Sequence, residues 1–447
     1  MRDEALLPLT SHGEQEIIAW HGGRAVTTAE FLAQAAALAA ALPGAGQAVN
    51  LCEDRYLFLL AFTALLMRGQ ANLLPPNRAP RVVEEVVAAY PGSYCLVDRP
   101  HGALAVQQFT VAVPAGQGEG APIRAIPEDQ LAAIIFTSGS TGAPRPHHKY
   151  WGELVRGMER GRERFVLHAL QGGTLVATVP PQHMYGLEFT ILFPLLNGLT
   201  LHGGRPFYPE DLRRALADVP GPRVLVTTPV HLRACVAAGL AWPPVALILC
   251  ATAPLSAAAA AEAEAAFGCP VQEIYGCTET GAIATRRTVA GPRWQPYGGV
   301  RLHCNDGVCR AEADFLRGAV PLNDVIELHA DGFVLLGRDS DMVNIAGKRA
   351  SLGDLTHRLL DIPGVEDAAL IVQDEGNERG GRLCAVVVAP QLTEQAILDA
   401  LRPGLDAVFM PRPLYRVARL PRNESGKLPR AELLALLEQL RRGDGVQ

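Results

Sequence analysis

A chain of 447 residues, 49% hydrophobic and 19% charged, is long enough for one large and one small domain with separate apolar cores. A net charge of −6, with basic residues scattered and not clustered, argues against a nucleic acid partner, which needs a basic face. Nine cysteines, odd in number and dispersed, predict buried free thiols in a reducing cytoplasm; Cys304 and Cys309 lie close together, at a spacing that fits no common zinc site.

The first residues are acidic and lack the apolar core of a signal peptide. The longest apolar run, 56–67, is far short of the roughly 20 residues of a membrane span and reads as a buried helix. A cytoplasmic protein without a membrane span is expected. Short aliphatic runs at 48–52, 132–136, 175–178, 223–228, 246–250 and 271–276 predict strands that alternate with helical patterns. The alanine-rich stretch 255–268 predicts a helix closed by Gly268, which tolerates a left-handed backbone. Two hairpins with ordinary surface charges are the plain structural reading of 321–341, and the character of the chain changes around 332–349. Beyond lie a helix (352–361), strands (367–372 and 383–389), a helix (393–402), a strand (414–417) and a terminal helix from about 428. The fold class is α/β: a large, multi-layer N-terminal domain over 1–339 and a small α+β C-terminal domain over 340–447.

Four stretches carry chemistry. A strand runs into Thr137-Ser138-Gly139-Ser140-Thr141-Gly142, whose glycines free backbone N–H groups and whose hydroxyls add donors for phosphate. A plain structural turn is the alternative, and the Gly-Lys-Ser/Thr ending of a P-loop is absent. In "EIYGCTETG" (273–281) the aromatic beside a glycine suits a flat base, while Thr278 and Glu279 suit a phosphate and its Mg²⁺; an edge tyrosine and a helix start are the alternative. Asp324 is suited to ribose hydroxyls and Arg338 to phosphate or ribose oxygens, although ordinary surface charges would look the same. The chain has only three lysines, Lys149, Lys348 and Lys427. Lys427 follows Ser425-Gly426 at a position where a slim, flexible point charge was kept and arginine was not, although a helix-capping turn would also look this way.

In their order and separation, "TSGSTGAPR" (137–145), "YGCTETG" (275–281), "LLGRDSDMVNIAGKR" (335–349) and "SGKLPR" (425–430) resemble the AMP-forming adenylating enzymes. These include acyl- and aryl-CoA synthetases, the adenylation domains of peptide synthetases and luciferases. Weaker likenesses are "PPQHMYGLE" (180–188), "TTPVHL" (227–232) and "CATAPLS" (250–256), so that the resemblance spans roughly residues 48 to 440. It implies that a carboxylic acid attacks the α-phosphate of ATP and that the acyl-adenylate then passes to a thiol. On it, 137–142 and Arg145 hold the outer phosphates, and Tyr275 and Gly276 stack on adenine beside Ala251, Thr252 and Ala253. Thr278 binds the α-phosphate, Glu279 holds Mg²⁺, and Asp324 with Arg338 takes the ribose. Lys427 bridges carboxylate and α-phosphate, Ser340 stands at the hinge of a mobile small domain, and Lys348 faces the thiol donor.

His183, Gly186 and Thr228 fall in the implied acid pocket. The implied partners are ATP, Mg²⁺ and a pantetheine thiol of coenzyme A or an acyl carrier protein, with Arg349 and Arg358 as contacts for an acidic carrier. The acid is expected to be aromatic or medium-chain, because no acidic residue stands where amino-acid activators hold an amine. Three departures are visible: Arg145 where lysine is usual, Ser340 for the hinge aspartate and Asp354 for a glutamate. They support one alternative, a silent homologue that senses adenylate or ATP.

Overall fold

The computed structural model describes residues 5–442 apart from 45, 103, 115–123, 139–143, 166–169, 306–307, 339–341, 346–347, 374–381 and 424–427. Among them, two large sheets organise the chain up to residue 338. The larger has eleven strands, in the order 324–329, 332–338, 293–296, 281–286, 271–277, 247–250, 223–227, 174–177, 200–202, 17–21 and 24–27. Its centre is parallel, from 200–202 through 174–177, 223–227 and 247–250 to 271–277. These strands are short aliphatic runs such as Leu247–Cys250, buried at every position, as in a sheet covered on both faces. The second sheet runs 144–150, 131–138, 72–74, 48–50, 94–97, 108–110, and is antiparallel only where 144–150 joins its edge.

Helices form where the pattern asks for them. Arg55–Met67 is the expected buried helix; the Asp54 side chain caps its first turn by accepting from the Leu57 N–H. The buried Arg55 guanidinium donates to the carbonyls of Ala177 and Val179, tying this helix to the larger sheet. Ala257–Phe267 starts at the Ser256 cap and ends at Gly268, whose φ of +67° is the left-handed stop the alanine run predicts.

From Met342 onward the chain forms an α+β unit. A hairpin of 342–345 and 348–351 precedes a three-stranded sheet (367–373, 382–388 and 414–416), with helices 352–360, 394–401 and 430–442. Its core, including Leu355, Leu359, Ala385, Val387 and Ile397, is its own. Arg422 reaches both carboxylate oxygens of Asp367 at 2.7 Å, clamping the arm that leads toward residue 427.

Two expectations change. The stretch 321–341 forms one hairpin, 324–329 with 332–338, which joins the larger sheet through 293–296; Val320–Pro321 pairs instead in a small sheet with 301–305 and 308–312. Cys304 and Cys309 are not free thiols: they face each other across the 301–312 hairpin and form a disulfide. The other seven cysteines are free, and all but Cys277 are buried. Among the described residues no helix is long and apolar enough to cross a membrane.

Candidate active site

Parallel sheets expose ligand-binding loops at the carboxyl ends of their strands, where each chain turns into the following helix. Here four neighbouring strands end in the segments singled out from sequence. Strand 174–177 leads to His183 and Gly186, 223–227 to Thr228, 247–250 to Ala251–Ala253, and 271–277 to Thr278 and Glu279.

Each loop has a local cause. Thr228 is fully buried and caps helix 229–237, its hydroxyl meeting the His231 backbone N–H and ring Nδ1, the latter at 3.1 Å. His183 precedes the helical turn Met184–Leu187. Gly186 is glycine because a Cβ would stand 1.8 Å from the Pro180 carbonyl oxygen, so it shapes this loop by close approach. Thr252 has φ of +83°, a left-handed conformation that costs a β-branched residue energy, and its buried hydroxyl has no hydrogen-bond partner among the described residues. Strain joined to an orphaned hydroxyl marks 251–253 as a segment shaped for a ligand.

Tyr275 and Asp324 meet directly. The tyrosine hydroxyl donates to an Asp324 carboxylate oxygen at 2.8 Å. Its ring packs against Trp294 and Phe333, with centroids 5.5 and 5.3 Å away. Asp324 and Arg338 are register partners across the 324–338 hairpin, which puts the two expected ribose contacts side by side.

After Tyr275 the strand bulges, and Cys277–Gly281 turns sharply back into 281–286. Both glycines are required: a Cβ on Gly276 would lie 2.0 Å from the Gly281 carbonyl oxygen, and one on Gly281 (φ +68°) would lie 2.3 Å from a Glu188 oxygen. The buried Thr280 hydroxyl accepts from the Cys277 N–H and donates to the Gly281 carbonyl, closing the turn from inside. Thr278 and Glu279 stay partly open at its tip.

The chemistry at this tip includes two residues that carry no role in the motifs read above. Strand 144–150 alternates, so Arg145, His147 and Lys149 share one face. His147 Nε2 lies 2.9 Å from the Thr137 hydroxyl, and its Nδ1 lies 3.8 Å from Glu279 Oε1. Lys149 is buried and donates to the Glu279 backbone carbonyl at 2.8 Å. The scarcity of lysine was the available signal for Lys149. No signal marked His147 until strand 144–150 was known.

Burial lowers the pKa of His147 and, with the charges of Lys149, Arg145 and His148, outweighs the pull of Glu279. Burial pushes Glu279 up, but hydrogen bonds from its own backbone and Cys277, with the charges of His147 and Arg145, hold it below the usual carboxylate range. An ionised, partly exposed carboxylate beside threonine hydroxyls is chemically suited to a Mg²⁺ that takes one protein ligand and completes its shell with phosphates and water. Among the described residues no cluster of three or more metal-binding side chains competes with it.

Several expected residues lie outside the described residues: Gly139, Ser140, Thr141, Gly142, Ser340 and Lys427. Thr137 stands near the end of strand 131–138, and Arg145, the second residue of the returning strand, is its register partner.

The similarity of the chain to known ligases identifies it as an AMP-forming acid–thiol ligase. The chain belongs to the AMP-binding enzyme family. That family's model matches residues 9–306, and the model of the AMP-binding enzyme C-terminal domain matches 357–427. The chain is 32% identical to a 4-coumarate–CoA ligase of Rhodobacter capsulatus over 302 residues, covering 66% of this chain and 74% of the relative. It is 24% identical to the fatty acid–[acyl-carrier-protein] ligase MmaC of Mycobacterium marinum, over 93% of this chain and 92% of that one. The fold is similar to that of the anthranilate CoA ligase AuaEII in complex with anthranoyl-AMP: the TM-score is 0.80 at 16% identity, covering 96% and 98% of the two chains.

Proposed function

We propose that this chain adenylates a small carboxylic acid with MgATP and passes the acyl group to the pantetheine thiol of coenzyme A. Residues 1–339 bind ATP and acid, and 340–447 deliver Lys427. The observation that carries this reading is the line formed by Asp324, Tyr275 and the 277–281 turn. Its parts suit the ribose, the adenine and the phosphates of one nucleotide, gathered in neighbouring strands. Adenine lies on Tyr275 and Gly276 beside Ala251–Ala253, and the ribose hydroxyls bond Asp324 with Arg338 alongside. Thr137 to Gly142 and Arg145 hold the outer phosphates, and Thr278 holds the α-phosphate.

The acid enters near His183, Gly186 and Thr228. Its carboxylate oxygen attacks the α-phosphorus in line and pyrophosphate leaves. Positioning and charge neutralisation supply the catalysis, with no protein nucleophile. Lys427 neutralises charge between the carboxylate and the α-phosphate. Mg²⁺, held by Glu279, neutralises phosphate charge when bound. The small domain then turns about Ser340, and the thiol attacks the acyl carbon and expels AMP.

An aromatic acid is favoured over a medium-chain one by the likeness to a 4-coumarate–CoA ligase. The likeness to MmaC supports a second acceptor, the phosphopantetheine of an acyl carrier protein. Carboxylate-dependent ATP–pyrophosphate exchange over aromatic and C4–C12 acids tests the proposal. Exchange with one acid class, lost in Lys427→Ala, is the expected result. ATP binding without exchange for any acid would leave the chain an adenylate sensor.

A further inference from the structure

Lys149 is one of three lysines in an arginine-rich chain, and it is buried. Its ammonium donates to the backbone carbonyl of Glu279 at 2.8 Å. The largest attractive charge it feels is Glu188, which is equally buried. Glu188 opens a π-helical turn, Glu188–Leu192, within the helical segment 184–197. Its two carboxylate oxygens accept from the Ala282 N–H at 3.2 and 3.1 Å. Gly281 lies between these attachment points, and its missing side chain is what lets the Glu188 oxygen approach. One buried charge therefore grips the carbonyl at residue 279 and an opposite one grips the amide at residue 282. Glu279 stands at the start of the short span they bracket, with Thr278 immediately before it.

We infer that Lys149 and Glu188 form a two-point clamp that sets the direction of the Glu279 carboxylate, and so act as positioning residues for the metal-bound nucleotide. The inference rests on the reading of Glu279 as the metal-side carboxylate. Rotation of the backbone about residue 279 would redirect the Glu279 side chain relative to its carbonyl. Fixing a carbonyl on one side and an N–H on the other removes that rotation. A lysine suits the task because one slim ammonium can reach a single carbonyl in a crowded interior, where a planar guanidinium would need room and further acceptors. The pair also explains why both charges are buried. Either alone would be an uncompensated buried ion.

The test compares Lys149→Met, Lys149→Arg, Glu188→Gln and the double variant Lys149→Met/Glu188→Gln at pH 8. Three quantities are measured: the urea midpoint, ATP affinity by calorimetry with Mg²⁺ and with EDTA, and the Mg²⁺ concentration for half-maximal exchange. Lys149→Met should lose stability because Glu188 is stranded, and the double variant should regain it. In Lys149→Met, Lys149→Arg and the double variant, MgATP affinity should fall at least tenfold and the Mg²⁺ requirement rise as much. Metal-free ATP affinity should move less than twofold. A stable double variant or Lys149→Arg variant with wild-type MgATP affinity would overturn the clamp, as would equal loss of metal-free ATP binding. The proposed function is judged separately, on exchange by the unmodified protein. Absence of exchange there, with the variant pattern in binding intact, sinks the ligase reading and spares the clamp.

Discussion

Gly281→Ala isolates what the tight turn costs and holds. An alanine at φ +68° incurs the left-handed penalty of about 1–2 kcal/mol. Its Cβ would also stand 2.3 Å from Glu188 Oε1 and 3.2 Å from Met184 Cε. The carboxylate has to swing off the Ala282 N–H, losing a charge-assisted hydrogen bond of about 1.5–3 kcal/mol. The sum is roughly 3–5 kcal/mol. Gly239→Ala is the matched control, because φ there is +60° and nothing lies within 4 Å of the added carbon. Only the backbone penalty should appear in that variant. Urea midpoints of both, at constant m-value, give the difference, and ATP–pyrophosphate exchange reads the turn itself. A Gly281→Ala variant no less stable than Gly239→Ala would refute the role assigned to the Glu188 contact.

Lys427→Ala, and equally Lys427→Arg, should lower adenylation by several orders of magnitude while calorimetric ATP affinity stays close to wild type; a two- or three-fold loss would remove Lys427 from the reaction. Tyr275→Phe deletes one hydrogen bond to Asp324, worth about 1 kcal/mol, so ATP affinity should weaken about fivefold. Unchanged affinity would separate Asp324 from the ribose. Burial pushes the Glu188 carboxyl up to about 7 from an ordinary 4.5, against the Ala282 N–H and the Lys149 charge. Between those values the folded protein holds a proton that the unfolded chain has released, so stability falls as pH rises through this window. Glu188→Gln should flatten that slope, by on the order of 2 kcal/mol in denaturant titrations run from pH 5 to 8. An identical slope in the variant would show that Glu188 titrates normally.

Where local chemistry decides structure, the sequence was readable. The 257–267 helix, with a serine to start it, alanines to propagate it and Gly268 to stop it, is dictated by residues in contact along the chain. The parallel strands were equally plain, because burial on both faces demands unbroken aliphatic runs. Strand 144–150 was not, because "PRPHHKY" has two prolines and no β-branched residue. It is a strand only because it lies at an edge, antiparallel to 131–138, where prolines are tolerated. His147 therefore stayed hidden as a neighbour of Glu279. The pairing of 17–21 with 200–202 joins segments about 180 residues apart, beyond any local pattern. The Cys304–Cys309 bond likewise follows from hairpin register. The motif residues proposed for nucleotide chemistry were legible as types and spacings, whereas their mutual support, Tyr275 to Asp324 and Lys149 to Glu279, required the packed chain.

Strand 144–150 is the outermost member of the six-stranded sheet, whereas the turn it grips, 277–281, belongs to the eleven-stranded one. The two sheets are thus stitched together at the proposed nucleotide site. Occupancy and cohesion become a single equilibrium there: whatever loosens one sheet from the other empties the site, and a filled site resists their parting. Heat tolerance of the large domain should accordingly rise with nucleotide concentration by mass action.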